Sequence, residues 1–442
     1  MTDRRNVVLV SVDSVRADHC GFMGYDRDTT PTLDAMAETG LYFENAVAPG
    51  PSTYDSMPAV FTGRRMAPHT VGETFEGDTL DRKTENIARN MHGETLAEWF
   101  DRQGYATGAF TTNPYTGEHT AFARGFDRYE DFMDGGEGTL MQKAAHVPVF
   151  AELKHLVTLV RGDRASMRWS EYYREIVEWV RNAPEPYFLW IFLLDTHTPY
   201  LVDGEYRSET GPLGMYYHNW KLWMAKKWLD SDGSSLDRDS LVSLYDDAIR
   251  ATDAFLDRLL ADLGDTDPAV VVHADHGEAF GEHGTYGHQG TLYEENVHVP
   301  LVVHGGTVEG VERRPTSLTQ LPAILRAVAS DRDPRDGATD RPDIATATTW
   351  DGRRFAVRGR RLKYIATVDP ETGSPTEEAV YDLASDEDEQ RNLAAEHRAV
   401  VDACRTMVQQ QFHHGKEVTN VADRAAALVA EEDETAKTPD RS

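Results

Sequence analysis

Cysteine is almost absent from this chain, and long apolar runs are missing altogether. Only Cys20 and Cys404 occur among 442 residues, which excludes a disulfide framework or a thiolate metal site and favours two idle thiols in a reducing compartment. No stretch approaches the roughly 20 apolar residues of a membrane span, and the N-terminus lacks the apolar segment of a secretory signal. We therefore expect a cytoplasmic protein without a membrane span.

Positive charge is also scarce, since 45 Lys and Arg face 75 Asp and Glu and leave a formal net charge of −30. Such a surface repels phosphates, so nucleic acid is not an expected partner. Nine of the basic residues are Lys, and 45 − 9 = 36 are Arg. Acidic residues spread along a chain poor in Lys are typical of proteins from a high-salt cytoplasm. At molar salt the Debye length is about 3 Å, so the repulsion between the acidic side chains is largely screened. An ordinary acidic protein is the alternative.

Short apolar runs alternate with helical patterns, which predicts an α/β fold with a mostly parallel sheet. The predicted strands are Asn6–Val12, Ala106–Thr111, Tyr187–Leu194, Ala269–Ala274 and Pro300–His304. The predicted helices are Thr32–Thr39, Glu94–Gln103, Ser170–Asn182 and Leu241–Leu263. We expect these elements to form one large domain over residues 1–330, with helical insertions at about 135–169 and 203–239.

The second insertion carries a row of large side chains, namely Tyr216, Tyr217, Trp220, Trp223, Met224 and Trp228. They could form a wall or lid over a pocket. Aromatic stripes at helical spacing more often belong to a core, so we favour a helix that packs on the body through its aromatics.

The composition changes after Ser330, where Asp, Arg, Gly and Pro indicate a surface linker. Three short strands follow, and they predict a small antiparallel sheet: Ala345–Trp350, Arg353–Val357 and Leu362–Val368. A helix over Asn392–Gln411 is expected to pack on it. We predict a small α+β subdomain over residues 331–412 and an acidic, mobile tail over 413–442.

Acids and histidines directly follow three of the predicted strands: Asp13, then Asp195 with His197, then Asp275 with His276. The carboxyl ends of parallel strands share one edge of a sheet, where ligands bind. Carboxylates and imidazoles suit a divalent cation, which neutralises an oxyanion and lowers the pKa of a bound hydroxyl. Each acid alone could instead cap a helix, but together they predict a metal site.

At these residues the sequence resembles the sulfatase family of the alkaline phosphatase superfamily. The resemblance runs in order through residues 6–18, 30–34, 43–46, 61–63, 195–200, 275–278, 292–295, 299–301 and 379–393. It implies an alkaline-phosphatase-like α/β/α sandwich with a mostly parallel central sheet and a small C-terminal antiparallel sheet plus helix. That agrees with the strand pattern above.

The resemblance also implies roles for five residues. Asp13, Asp275 and His276 match the metal-binding positions, for one divalent ion such as Ca, Mg, Mn or Zn, with a second ion left open. His197 matches a residue at the ester or leaving group. His288 stands where relatives place a cationic substrate-binding residue.

The chain departs from the family at three positions. Ser14 replaces a second acid after the first strand, and Gln289 stands in place of a usual Lys. The family converts a Cys or Ser ten residues before the Gly of Thr62-Gly63 to formylglycine; here 63 − 10 = 53 is Thr53, so no formylglycine is expected. Superfamily phosphodiesterases and phosphoglycerol transferases use Thr there as a metal-activated nucleophile.

Several assignments keep an alternative. We favour Thr53 as nucleophile over Ser56 or Ser52, although a Thr here could simply cap a helix. Three further residues each have a functional and a structural interpretation, and the functional one is given first. Asn113 contacts substrate or makes a turn, Arg16 steadies an oxyanion or pairs with Asp18, and His283 is a second-shell or second-metal ligand or an exposed loop residue.

The resemblance implies a metal-dependent hydrolase of small-molecule or glycan sulfate or phosphate esters, with a Thr nucleophile and a covalent intermediate. A phosphoryl- or phosphoglycerol-type transferase on the same fold is one alternative. A pseudoenzyme that binds an anionic ligand or a protein without turnover is the other.

Overall fold

The computed structural model describes residues 4–65, 84, 87, 88, 91–132, 167–225, 236–264, 266–288, 290–306, 308–338 and 343–437. Most of the insertion expected at 135–169 lies outside these residues, as do Trp228 and Gln289. Within them, no helix is both long and apolar enough to cross a bilayer.

The secondary structure follows the predicted alternation of strands and helices. The strands are β1 Val7–Val12, β2 Leu41–Phe43, β3 Ala46–Val47, β4 Ala106–Thr111, β5 Arg128–Asp131, β6 Tyr187–Leu193, β7 Ala269–Ala274, β8 Ala279–Phe280, β9 Tyr286–Gly287, β10 Leu301–His304, β11 Gly310–Glu312, β12 Thr316–Ser317, β13 Ala345–Thr348, β14 Arg354–Arg358, β15 Leu362–Val368 and β16 Pro375–Asp382. The helices are α1 Pro31–Thr39, α2 Thr53–Thr62, α3 Leu96–Arg102, α4 Trp169–Asn182, α5 Pro212–Met224, α6 Arg238–Leu263, α7 Glu294–Val297, α8 Leu321–Ala329 and α9 Arg398–Lys437.

Eight strands form the central sheet in the order β11-β2-β10-β7-β1-β6-β4-β5. All of them run parallel except β10, which is antiparallel to both of its neighbours. The central strands β1, β6 and β7 are buried along their whole length, as expected of parallel strands covered on both faces. The predicted mostly parallel α/β fold is confirmed.

Helices cover both faces of this sheet. On one face the Trp190 ring of β6 packs against Phe61 of α2, with ring centroids 4.4 Å apart. Val12 of β1 points to the opposite face, because successive side chains alternate along a strand, and it lines a small cavity with Leu33 of α1 and Ile249 of α6. The result is the α/β/α layering that the resemblance implied.

Four antiparallel strands form a second sheet in the order β13-β14-β15-β16, and its apolar side chains join those of α9 in a separate cluster. The strand β16 was not predicted as a strand. The predicted helix over Asn392–Gln411 was wrong at both ends, since α9 begins at Arg398 and continues to Lys437. The Ala-rich residues after Gly415 are good helix formers and extend it.

The helix α5 packs differently from the prediction. It buries Met215, Asn219 and Leu222, whereas the side chains of Tyr217 and Trp220 are 52% and 40% exposed. The expectation that the aromatic row packs α5 on the body is therefore wrong for these two residues.

A buried cluster of charges joins the C-terminal sheet to the main body. The Lys363 ammonium of β15 is fully buried, 2.9 Å from a carboxylate oxygen of Glu294 and 3.0 Å from one of Glu389. Arg358 of β14 contacts the other Glu294 oxygen at 3.0 Å. Burial raises the pKa of Glu389 to about 7 despite the neighbouring Lys363. Removing Lys363 would therefore leave two carboxylates buried without their shared cation.

We predict that Lys363→Ala lowers the free energy of unfolding by about 3–5 kcal/mol, because breaking a buried ion pair strands its partners. Urea unfolding followed by circular dichroism measures the change. Arg361→Ala, which removes an ion pair with Asp382 whose Arg side chain is 68% exposed, is the matched control and should cost at most about 1 kcal/mol. Equal effects for the two variants would contradict this interpretation.

Candidate metal and nucleophile site

The strand ends bring the predicted acids together. β1 and β7 are adjacent and parallel, with Val12 beside Ala274, so Asp13 and Asp275 leave neighbouring strands side by side. His276 follows directly, and its backbone N–H donates to Asp275 Oδ1 at 2.9 Å.

One ligand atom from each of Asp13, Asp275 and His276 lies within 4.8 Å of the other two, and all three residues are buried. His276 Nε2 is 3.8 Å from Asp13 Oδ1 and 3.6 Å from Asp275 Oδ2. Among the described residues, Asp275 Oδ2 has no hydrogen-bond partner, which is unusual for a buried carboxylate oxygen. Two carboxylates and an imidazole with such an orphaned oxygen fit a divalent cation.

A contact outside the cluster fixes the orientation of the imidazole. His276 Nδ1 lies 2.8 Å from the carbonyl oxygen of Gly277, which is the partner that a protonated Nδ1 requires. Nε2 then turns its lone pair towards the two carboxylates, as in many metal-binding histidines.

The pKa values of the three groups reflect their crowding. Burial opposes the charge of Asp13, but the facing His197, His276 and His288 outweigh it and lower the pKa of Asp13 overall. Burial and then the charge of Asp13 raise the pKa of Asp275 well above its ordinary value. Burial lowers the pKa of His276 and so favours the neutral imidazole. A cation bound between the two carboxylates would favour the charged form of both.

Thr53 contacts this cluster from the start of α2. Its hydroxyl donates to Asp13 Oδ2 at 3.1 Å and lies 3.4 Å from His276 Nε2. Ser52 is the N-cap residue, so the alternative in which Thr53 caps the helix is wrong. Ser52 Oγ donates instead to Asp55 at 2.7 Å. Ser56 Oγ is buried within α2 and has no hydrogen-bond partner in the described part of the chain.

Asn113 and Ser14 complete the surroundings of the carboxylates. Asn113 Nδ2 donates to Asp13 Oδ2 at 2.9 Å and to Thr53 Oγ1 at 3.3 Å. Its Oδ1 also accepts from the Tyr115 backbone at 2.9 Å, so it makes the predicted turn as well. The Ser14 hydroxyl donates to Asp13 Oδ1, and its backbone N–H donates to Asp275 Oδ1 at 3.2 Å. Ser14 thus orients both acids.

Two further histidine rings, those of His288 and His197, lie beside the cluster. The ring centroid of His288 is 4.5 Å from that of His276 and 5.4 Å from that of His197. His197 Nδ1 lies 2.6 Å from the carbonyl oxygen of Thr198, and Glu278 Oε2 lies 2.5 Å from His288 Nδ1. The sequence analysis missed this role of Glu278, although the acid stands only three residues after Asp275.

The remaining candidates lie outside the cluster. Arg16 pairs with Asp18 at 2.6 Å and with Glu282 at 2.9 Å. These ion pairs agree with the structural interpretation of Arg16, in which it pairs with Asp18. His283 stacks on Tyr293 with centroids 3.5 Å apart, and its Nδ1 lies 2.9 Å from Glu295.

The amino-acid sequence of the chain is similar to that of several known proteins. The family model described as Sulfatase matches residues 5–326. A sulfatase of Formosa agariphila is 24% identical over 89% of this chain and 83% of its own. An arylsulfatase of Clostridium perfringens is 35% identical over 23% of this chain, and the match spans 19% of that protein. For the phosphatidylethanolamine transferase Mcr-2 of Escherichia coli the identity is 25%, over 64% of this chain and 45% of the transferase.

Solved structures share the fold. A 2-O GAG sulfatase superposes with a TM-score of 0.64 at 18% identity, covering 93% of this chain and 94% of that one. The phosphonate monoester hydrolase of Agrobacterium radiobacter gives a TM-score of 0.63 at 16% identity, over 94% and 96%.

We predict that chelation lowers the melting temperature and that one of Mn²⁺, Ca²⁺, Mg²⁺ or Zn²⁺ restores it, because a ligand that binds only the folded state stabilises it. Differential scanning fluorimetry and metal analysis after dialysis measure the effect. Asp275→Asn should abolish the response while the metal-free variant stays folded, since the change relieves repulsion from Asp13. Asp402→Asn, on an exposed face of α9, should respond like the wild type. A metal-dependent shift that survives in Asp275→Asn would contradict the assignment.

Proposed function

The chain belongs to the sulfatase family, and we propose that it is a metal-dependent hydrolase of sulfate or phosphate esters that uses Thr53 as a covalent nucleophile. One observation carries the proposal: the buried Thr53 hydroxyl lies 3.1 Å from Asp13 Oδ2 and 3.4 Å from His276 Nε2. A hydroxyl in direct contact with a metal-ligand set is the arrangement that nucleophilic catalysis requires.

Asp13, Asp275 and His276 would hold the divalent cation. When bound, it supplies positive charge that neutralises the anionic ester oxygens and lowers the pKa of a neighbouring hydroxyl. Thr53 stands at the N-terminus of α2, a helix of 10 residues, whose first backbone amides favour an anion at the same place.

In the first step Thr53 Oγ1 attacks the sulfur or phosphorus atom while its proton passes to Asp13 Oδ2. The Asn113 amide donates to an ester oxygen and so holds the group in place. The bond from the central atom to the leaving oxygen breaks, and a protonated His197 supplies the proton that this oxygen needs. The products of the step are a free alcohol and an ester of Thr53.

In the second step water attacks the central atom of this ester. The bond to Thr53 Oγ1 breaks, the Thr53 hydroxyl is restored with the proton held by Asp13, and the proton of the water returns to His197. Because Thr53 replaces the residue that the family converts to formylglycine, we favour phosphorus over sulfur as the centre that is attacked.

We predict that Thr53→Ala lowers kcat by at least about 10³-fold on aryl sulfates and phosphates, because no hydroxyl remains to form the intermediate. Thr53→Ser keeps the hydroxyl and should retain measurable turnover. Ser56→Ala removes another buried hydroxyl one turn along the same helix and should stay near wild type. A Thr53→Ala variant as active as Ser56→Ala would rule out the mechanism.

A second candidate is transfer of the phosphoryl-bearing group to an alcohol. Its support is the resemblance to the phosphatidylethanolamine transferase Mcr-2, which is 25% identical over 64% of this chain. Both functions share the first step and differ only in whether water or an alcohol attacks the Thr53 ester.

We predict that water is the dominant acceptor. Turnover of an aryl phosphate or phosphodiester in the presence of glycerol or ethanolamine, followed by phosphorus NMR of the products, measures the partition. Inorganic phosphate or the free monoester should predominate. A product in which the added alcohol carries most of the phosphorus would favour the transferase instead.

A further inference from the structure

Arg354, at the start of β14, is a half-buried cation without a partner. In the part of the chain that the structure describes, its guanidinium makes no ion pair or hydrogen bond, and its backbone N–H donates to Thr349 Oγ1 at 3.1 Å. Its neighbour Arg353 has an acid, Asp351, at 4.0 Å, and Arg358 on the same strand pairs with Glu294 at 3.0 Å. A half-buried cation without an acidic partner is unusual in a chain of net charge −30, in which acidic residues outnumber basic ones.

The guanidinium lies close to Gly290, in the segment that follows His288. A Cβ atom built on Gly290 would be 3.2 Å from Arg354 Nη1. Gly290 comes two residues after His288, whose ring centroid is 4.5 Å from that of His276. The C-terminal sheet thus brings a positive charge to the segment that borders the metal-ligand set.

The hairpin formed by β13 and β14 also contacts the chain on both sides of Thr53. The Trp350 ring centroid is 6.4 Å from that of Tyr54, the residue after Thr53. The Thr348 backbone N–H donates to the carbonyl oxygen of Pro49 at 2.9 Å, in the loop that leads into α2. The hairpin of β13 and β14 therefore contacts the loop before α2 and the first turn of α2, while its Arg354 lies close to Gly290.

Hydrogen bonds hold the turn of this hairpin in one conformation. The Thr349 N–H donates to the carbonyl oxygen of Arg354 at 3.1 Å, and the Gly352 N–H donates to that of Thr349 at 2.8 Å. The Thr349 hydroxyl donates to Asp351 Oδ1 at 2.6 Å. Trp350 and Arg354 are thus presented on a rigid support, which reduces the entropy lost when a ligand binds.

We propose that Arg354 binds a second anionic group of the ester substrate, a carboxylate or a further sulfate, while Trp350 packs against the ring that carries it. Guanidinium groups bind such anions through paired hydrogen bonds, and indole rings pack against apolar ring faces. The inference rests on the proposed function, and it assigns the substrate to the class of polyanionic ring compounds, such as acidic sugars.

The test compares matched substrates with and without the second charge. The pairs are 4-nitrophenyl sulfate and phosphate against their ring-carboxylated analogues, and N-acetylglucosamine 6-sulfate against glucosamine N,6-disulfate. Arg354→Gln should lower kcat/KM for the member with the second anionic group by about 10- to 100-fold, as for the loss of a charged hydrogen bond. For the member without that group the loss should stay within about 2-fold, and Arg354→Lys should recover part of the preference.

Arg353→Gln is the control, because this neighbour is 55% exposed and should leave both members of each pair unchanged. The carboxylated and disulfated substrates separate the two anion types, and a selective loss with either one supports the proposal. An equal loss on both members of every pair, or no loss on any, overturns it.

Calorimetric binding of glucosamine N,6-disulfate keeps the inference separate from the proposed function. If the wild type binds this compound without hydrolysing any ester, the hydrolase proposal fails, while weaker binding by Arg354→Gln still supports the subsite. Equal affinity of wild type and Arg354→Gln, or no binding by either, overturns the subsite.

Discussion

The site depends on one constraint, the close approach of two buried carboxylates. Asp13 and Asp275 leave adjacent parallel strands in register, so the sheet itself forces them together. Neither can move away, and burial with mutual repulsion raises the pKa of Asp275. A bound cation is the simplest relief of that repulsion, and the surrounding donors from Ser14, Asn113 and Thr53 are arranged about the same two side chains.

The overall charge sets a second constraint. A protein of net charge −30 repels an anionic ester at long range, so capture requires positive charge at the site itself. A cation held by Asp13, Asp275 and His276, the N-terminus of α2 and Arg354 would supply it from three different parts of the chain. The charge at Arg354 depends on the C-terminal sheet, which the buried contacts of Lys363 hold on the main body.

The strands and the grouping of Asp13, Asp275 and His276 could be predicted from sequence, because apolar runs end directly at Asp13 and Asp275 and because several motifs match one family in order. Contacts between residues that are far apart in the sequence could not be predicted. Asn113 meets Asp13 across 100 residues, and no local pattern marks that pairing. Glu278 reaches His288 around a small hairpin, and Arg354 approaches Gly290 from another sheet. Such pairings depend on how the elements pack together.

The most direct test of the central claim is to trap the covalent intermediate. The enzyme is mixed with a slowly hydrolysed aryl phosphate or sulfate, quenched in acid, digested and examined by mass spectrometry. The account predicts that the peptide containing Thr53 gains the mass of one phosphoryl or sulfo group, located at Thr53 by fragmentation. Active enzyme that never carries the group, or carries it at another residue, would contradict the account.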